Sequence, residues 1–196
     1  MSLKQWRDFI GEVGRAYDAM RKGLRVNEVG LIKKQWTIQR WNSDEDREAG
    51  RIYVPGLAKE MFLGMPQFSI FHGNVLLNEG INALWEKACS SSGTLWDNTN
   101  AQLGTGTSST GEAATDTDLL AAGVWKGMMA SFPTYGTSQK ATWKSEFLSA
   151  EGNQSWQEFS VRNGNSANKN LNRKTSNQGT KSSGQVWELT LDITLS

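Results

Sequence analysis

From Gly184 to Leu195 the chain reads GQVWELTLDITL, and every second residue is apolar. Trp187, Leu189, Leu191, Ile193 and Leu195 fall on one side, and Glu188, Thr190, Asp192 and Thr194 on the other. A strict period of two puts one face of a strand against a core and the other toward water, the pattern of an antiparallel sheet. The same arrangement recurs upstream in short runs divided by Gly, Ser, Asn and Thr: Ala101–Gly104, Val124–Phe132, Ala141–Ser149, Trp156–Arg162 and Leu171–Lys174. In one of them Ala141, Trp143, Ser145, Phe147 and Ser149 alternate with Thr142, Lys144, Glu146 and Leu148. Repeated short strands joined by turn clusters predict a mainly β body, an antiparallel β-sandwich of jelly-roll-like type.

Earlier segments are mixed. Trp6, Phe9, Ile10, Val13, Tyr17 and Met20 recur at spacings of three and four, which predicts an amphipathic helix over Leu3–Lys22 with Ser2 as N-cap and Gly23 as its stop. Gly11 and Gly14 each weaken that helix by about 1 kcal/mol relative to Ala, so it needs a surface to pack against. That surface is either its own domain or a neighbouring subunit, and the six apolar residues are the candidate partner-binding stripe. Lys33–Trp41 reads as a strand with Trp36 and Ile38 on one face and Trp41 on the other, followed by a charged turn or loop holding Asp44, Glu45, Asp46 and Glu48. A second strand is expected at Arg51–Val54, another at Gln67–His72, and a short helix from about Asn78 with Ile81, Leu84, Trp85 and Ala88 along one side. Residues 1–66 therefore read as an N-terminal helical or extended arm or subdomain, and residues 67–196 as the β-sandwich body.

A chain of 196 residues can bury about 70% of its unfolded surface, so it needs no disulfide or metal. Cys89 is the only cysteine and is expected buried and inert. The formal charge of +1 leaves no basic footprint for nucleic acid or an anionic bilayer. No apolar run reaches the ~18–20 residues of a membrane span, and Met1–Gly23 carries charges where a signal peptide would be apolar. The expected site of synthesis is the cytoplasm.

Catalytic patterns are thin. His72 is the only histidine and closes an apolar strand beside Gly73, which reads as a capped or partly buried imidazole rather than a general base. With one His and one Cys there is no zinc set, and no cofactor is implied. Gly104–Gly111 (GTGTSSTG) lacks the Lys-Ser/Thr of a phosphate-binding loop and reads as a turn-forming surface loop. Asp116 and Asp118 could hold calcium, but Thr115 or Asp116 capping a helical turn explains them with less. No carboxylate pair stands out among Glu146, Glu151 and Glu158. Trp96, flanked by Thr94, Asp97 and Asn98, is the candidate glycan contact, because flat sugar faces stack on exposed indoles.

The runs NVLLNEGINALW (Asn74–Trp85), WDNTNAQLGTGTSST (Trp96–Thr110), ATDTDLL (Ala114–Leu120), KGMMASFPT (Lys126–Thr134), ATWKSEF (Ala141–Phe147), SWQEFSV (Ser155–Val161), LNRK (Leu171–Lys174) and GTKSSGQVWELTL (Gly179–Leu191) form an ordered series. Over Asn74–Ser196 this series resembles virion structural proteins of tailed bacteriophages. The resemblance implies a non-enzymatic particle protein found in the virion. It does not fix which part; the sandwich pattern, the thin catalytic patterns, the near-neutral charge and the aromatic N-terminal helix point to a capsid decoration (cement) protein, homotrimeric, contacting the major capsid protein or other virion proteins. A tail fibre, baseplate or adaptor component is the alternative, and a carbohydrate-binding module is the alternative of another class. No nucleic-acid or membrane partner is expected.

Overall fold

The computed structural model describes residues 32–51, 66–90, 92–164 and 168–195. Strands β1 (Ile32–Trp41), β2 (Gln67–His72), β3 (Val75–Leu76), β4 (Gln102–Gly106), β5 (Val124–Gly127), β6 (Thr134–Thr137), β7 (Lys140–Phe147), β8 (Glu158–Arg162), β9 (Asn172–Thr175) and β10 (Val186–Leu195) carry the fold, with helices α1 (Asp44–Arg51) and α2 (Asn78–Cys89). The strands make two five-stranded antiparallel sheets, ordered β2-β1-β10-β7-β6 and β3-β9-β8-β4-β5.

The alternation in β10 does what the sequence predicts. Trp187, Leu189, Leu191 and Ile193 are buried in the core, along with Trp36 and Ile38 of β1 and Trp143 and Phe147 of β7. The facing sheet contributes Leu103, Phe159 and Val161. Rings bridge the two layers: the centroids of Trp36 and Phe159 lie 5.7 Å apart, those of Phe71 and Phe159 5.0 Å, and Trp156 stands edge-on to Trp187 at 4.8 Å. Glu188 and Leu195 depart from the pattern: Glu188 is buried on the outer side, and Leu195 is exposed. Leu195 pairs with Ile32 beyond the end of the core, and both side chains are exposed.

Several expectations change in the fold. β1 belongs to residues read as an arm, yet it lies inside a sheet between β2 and β10, so the body begins by residue 32. The strand expected at Arg51–Val54 lies, past Arg51, outside the described residues. The charged stretch after Trp41 is a helix rather than a loop. Ser43 Oγ accepts the Asp46 N–H at 3.1 Å, and Asp44, Glu45 and Asp46 occupy the first turn, where the helix dipole favours anions. Cys89 is exposed at the end of α2 rather than buried.

The GTG of Gly104–Gly111 is not a surface loop: Gly104, Thr105 and Gly106 are buried in β4. Both glycines permit close approach. A Cβ at Gly104 would meet the Trp125 ring at 2.5 Å, and one at Gly106 would meet Glu158 Oε1 and the Ala121 carbonyl at 2.5 Å. Trp125 is thereby pressed onto the strand, with the Arg162 guanidinium 4.1 Å above its ring.

β8 is buried on both faces. Phe159 and Val161 face the aromatic core, whereas Glu158 lies under the loop of residues 107–123. Its carboxylate accepts the N–H groups of Ser108 (3.2 Å), Leu120 (2.9 Å) and Ala121 (2.9 Å). It also accepts Nε of Arg173 on β9 at 2.9 Å and pairs with Nη2 at 2.8 Å. The remaining guanidinium donors go to the Thr110 and Gly111 carbonyls and to Asp116 Oδ2, at 3.0, 3.3 and 3.0 Å. Both residues of the central pair are fully buried, and five donors of the Arg fork and backbone converge on one carboxylate. Removing one partner of such a pair leaves an uncompensated charge, which costs about 3–5 kcal/mol. Arg173→Met and Glu158→Gln are each expected to lower unfolding free energy by about that amount in urea denaturation. The double variant is expected to lose less than the sum of the two, and amide exchange in residues 107–123 should accelerate in either single variant.

Candidate partner-binding surface

The carboxylates considered for catalysis are held apart. Glu158 is tied to Arg173 beneath a loop, Glu151 pairs with Lys126, and Glu146 pairs with Arg47 of α1. Asp116 serves Arg173 and the Ala113 N–H, while Asp118 accepts its neighbour's N–H from Leu119 at 2.7 Å. Among the described residues no group of three or more His, Cys, Asp or Glu could hold a metal ion. His72 ends β2 as the sequence suggests, but its ring is exposed rather than partly buried.

Trp96 sits in the core at 8% exposure, and its carbonyl accepts the Trp143 indole N–H at 3.1 Å. Sugar stacking needs an open ring face, which this indole does not present. The Asp97 and Asn100 beside it form a local turn: Asp97 Oδ1 accepts both the Asn100 N–H and its amide at 2.9 and 2.8 Å. Polar residues around a tryptophan thus marked a turn rather than a sugar site. The stripe Trp6, Phe9, Ile10, Val13, Tyr17 and Met20 lies outside the described residues.

Where the described surface is unusual, it is apolar. α2 is anchored through its first turn: the Leu77 N–H donates to the Leu171 carbonyl at 3.0 Å, Glu79 Oε1 accepts the Asn170 N–H at 2.7 Å, and Gly80 lies against the backbone of Asn170 and Leu171 with no room for a Cβ. That seating turns the predicted stripe outward. Leu84 and Trp85 are exposed, Trp85 by 65%. On the other sheet, Phe68 and Ile70 of β2 stand at 58% exposure on the face opposite the core, beside Gln39 and Thr37 of β1. Tyr135 on the edge strand β6 is 75% exposed. These large apolar side chains thus stand on separate elements, at the two opposite edges of the first sheet and on α2.

No protein-family model, curated protein or solved structure matches the chain. No helix among the described residues is long and apolar enough to cross a membrane. The fold is that of a mainly β protein of two antiparallel sheets, with large apolar side chains exposed on β2, α2 and β6.

The frame beneath these side chains carries its own pH signature. Lys181 is buried, 1% exposed, with its ammonium donating to the Leu148 carbonyl and to Asn153 Oδ1, both at 2.8 Å. Burial lowers its pKa from 10.5 to about 8, against the opposing charges of Glu151 and Asp44. The unfolded chain therefore binds more protons than the native one between about pH 8 and 10.5, so this group makes stability rise with pH across that window. Burial raises the carboxyls of Glu112 and Glu151. Hydrogen bonds from the Thr175 and Leu148 N–H groups and the ammonium groups of Lys174 and Lys126 outweigh it and hold both below the ordinary 4.5. Their contribution is complete above that value and is lost as pH falls beneath it. Chemical denaturation across pH is expected to show a decline below about 4.5 and a shallow rise above about 8, and Lys181→Met should remove only the alkaline rise.

Proposed function

We propose that this chain is a non-enzymatic structural protein of a tailed-bacteriophage particle, a capsid decoration (cement) protein that joins neighbouring capsid subunits as a homotrimer. The major capsid protein is its partner and the virion its location. The observation that carries this reading is the set of exposed apolar side chains on the rigid two-sheet frame: Phe68 and Ile70 on β2, Leu84 and Trp85 on α2, and Tyr135 on β6. A catalytic protein concentrates perturbed titratable groups in a cleft, whereas a cement protein needs area. Specific interfaces bury about 800 Å² per partner and draw most of their energy from a few aromatic anchors. The jelly-roll-like reading of the body is part of the same proposal. It is supported by nested pairing of distant strands, β1 with β10 and β3 with β9, together with hairpins such as β4–β5 and β6–β7.

In mechanism, the sheets act as a rigid body and the N-terminal stripe of Trp6, Phe9, Ile10, Val13, Tyr17 and Met20 acts as an arm across the joint between subunits. Near-neutral net charge suits adhesion by apolar area rather than by electrostatic steering. Deleting Met1–Gly23 is expected to abolish co-sedimentation with particles while the far-ultraviolet circular dichroism of the β body persists. Undiminished binding by the truncated chain would rule out the arm. Gold-labelled antibody on whole particles separates the head from the tail: label on the tail would replace cement with a fibre, baseplate or adaptor role. Light scattering on the purified chain tests the trimer directly.

A further inference from the structure

At one end of the first sheet, where β1 and β7 begin and β2 and β10 finish, a cleft of about 550 Å³ opens to solvent. Its walls include Lys33, Lys34, His72, Lys140, Asp192 and Thr194. The register explains why these groups meet. Thr194 pairs with Lys33 on one side and Lys140 on the other, so two ammonium groups flank one hydroxyl on the face opposite the core. One row inward, Gln35 pairs with both His72 and Asp192. Lys34 closes the rim: its ammonium reaches the Asn74 carbonyl at 3.4 Å, across the turn at Gly73.

Lys33 and Lys140 thus bring two ammonium groups to the cleft beside a single carboxylate, with Lys34 at its margin, in a chain whose whole formal charge is +1. That carboxylate is already engaged: Asp192 Oδ1 accepts the Thr142 hydroxyl, and Lys140 stands 3.5 Å away. Lys33 and His72 make no side-chain hydrogen bond or ion pair among the described residues. Burial holds the Lys34 ammonium below its ordinary value, and no carboxylate opposes that effect. Beside Gly73, the Asn74 side-chain amide is shut off from solvent with neither its nitrogen nor its oxygen partnered among the described residues. Uncompensated positive charge, a hydroxyl and an imidazole around an open hollow are the donor set that recognises a compact oxyanion.

We infer that this cleft binds an oxyanionic group, a phosphate or a carboxylate, carried by a ligand small enough to enter it. Lys33 and Lys140 grip it from two sides, Lys34 and His72 lie along its rim, and Thr194 donates between them. Asp192 holds Lys140 in place, and the ammonium groups disfavour a cationic ligand. This assignment is independent of the particle role, because none of its residues belongs to the exposed apolar patches.

His72 is the only histidine, so its imidazole signals form a single unambiguous reporter in the full-length chain. Inorganic phosphate, sodium glucuronate and neutral glucose are each titrated at fixed pH and ionic strength while those signals are followed by nuclear magnetic resonance. Saturable movement is expected with phosphate, with glucuronate or with both, and none with glucose. The stronger of the two anions tells a phosphate-bearing ligand from an acidic sugar. The double variant Lys33→Gln/Lys140→Gln, both substitutions at exposed positions, is expected to weaken binding at least ten-fold with the His72 signals retained. Linear, unsaturable drift, an equal response to glucose, or an unchanged affinity in the double variant would each overturn the assignment.

Discussion

The buried contact between Glu158 and Arg173 is the constraint around which the second sheet is organised. One carboxylate gathers two donors of the guanidinium and three backbone N–H groups from a loop rich in Gly, Ser and Thr. Such a loop has little apolar surface with which to hold itself in place, so charge-assisted hydrogen bonds substitute for hydrophobic contact. Desolvating an ion pair is expensive, and its net stabilisation is small compared with the penalty of breaking it. The pair therefore acts more as a specifier than as a source of stability: residues 107–123 have one seating that satisfies the charge. The Thr107 N–H to Ala121 carbonyl bond at 2.9 Å closes the base of that loop over β8.

Against that polar clamp stands an aromatic interior built by β10. Its neighbours β1 and β7 each present alternate residues to the same core, and the indoles of Trp36, Trp156 and Trp187 with Phe71, Phe147 and Phe159 form a continuous set of ring contacts. Three core indoles, those of Trp36, Trp96 and Trp187, leave their ring N–H without a partner among the described residues. Each such group loses its water without replacement, a cost offset by the large apolar area an indole removes from solvent. On the outer face, Glu146 and Glu188 are direct cross-strand neighbours, a like-charged pairing relieved by Arg47 from α1 and Lys144 from β7. α1 is thus fixed to the sheet by an ion pair that its own sequence does not announce.

What the sequence made legible was periodicity. β1, β7 and β10 are amphipathic strands whose core-facing apolar positions follow a period of two, and their faces are readable from Trp36, Ile38, Trp143, Phe147, Leu189 and Leu191 alone. β8 was less legible, because Glu158 and Ser160 are buried as thoroughly as Phe159 and Val161, and no pattern distinguishes a charged residue under a loop from one in water. α2 was legible as a helix but its facing was not: close approach through Gly80 seats its first turn, and Leu84 and Trp85 are left exposed. The β6–β7 turn was hidden for another reason. Ser138 and Gln139 both adopt positive φ, at 54° and 52°, where Asn and Gly are the residues that advertise such a hairpin. The cleft around His72 was invisible to local reading, since Lys33, His72, Lys140 and Asp192 come from four strands and meet only through register.

The position of β10 has a consequence for how this molecule is made. It is an interior strand of the first sheet, hydrogen-bonded to β1 on one side and β7 on the other, with Ile32 opposite Leu195. A nascent chain emerging from the ribosome can close the β4–β5 and β8–β9 hairpins early, but β1 and β7 must wait for a filler between them. Until residue 195 has been synthesised, each presents an open edge and part of an aromatic face to solvent. Such non-local closure slows folding and leaves the unfinished chain exposed to self-association. The same alternating segment that makes the fold readable is also the last piece of the first sheet to be synthesised, so the sheet closes only once it has emerged.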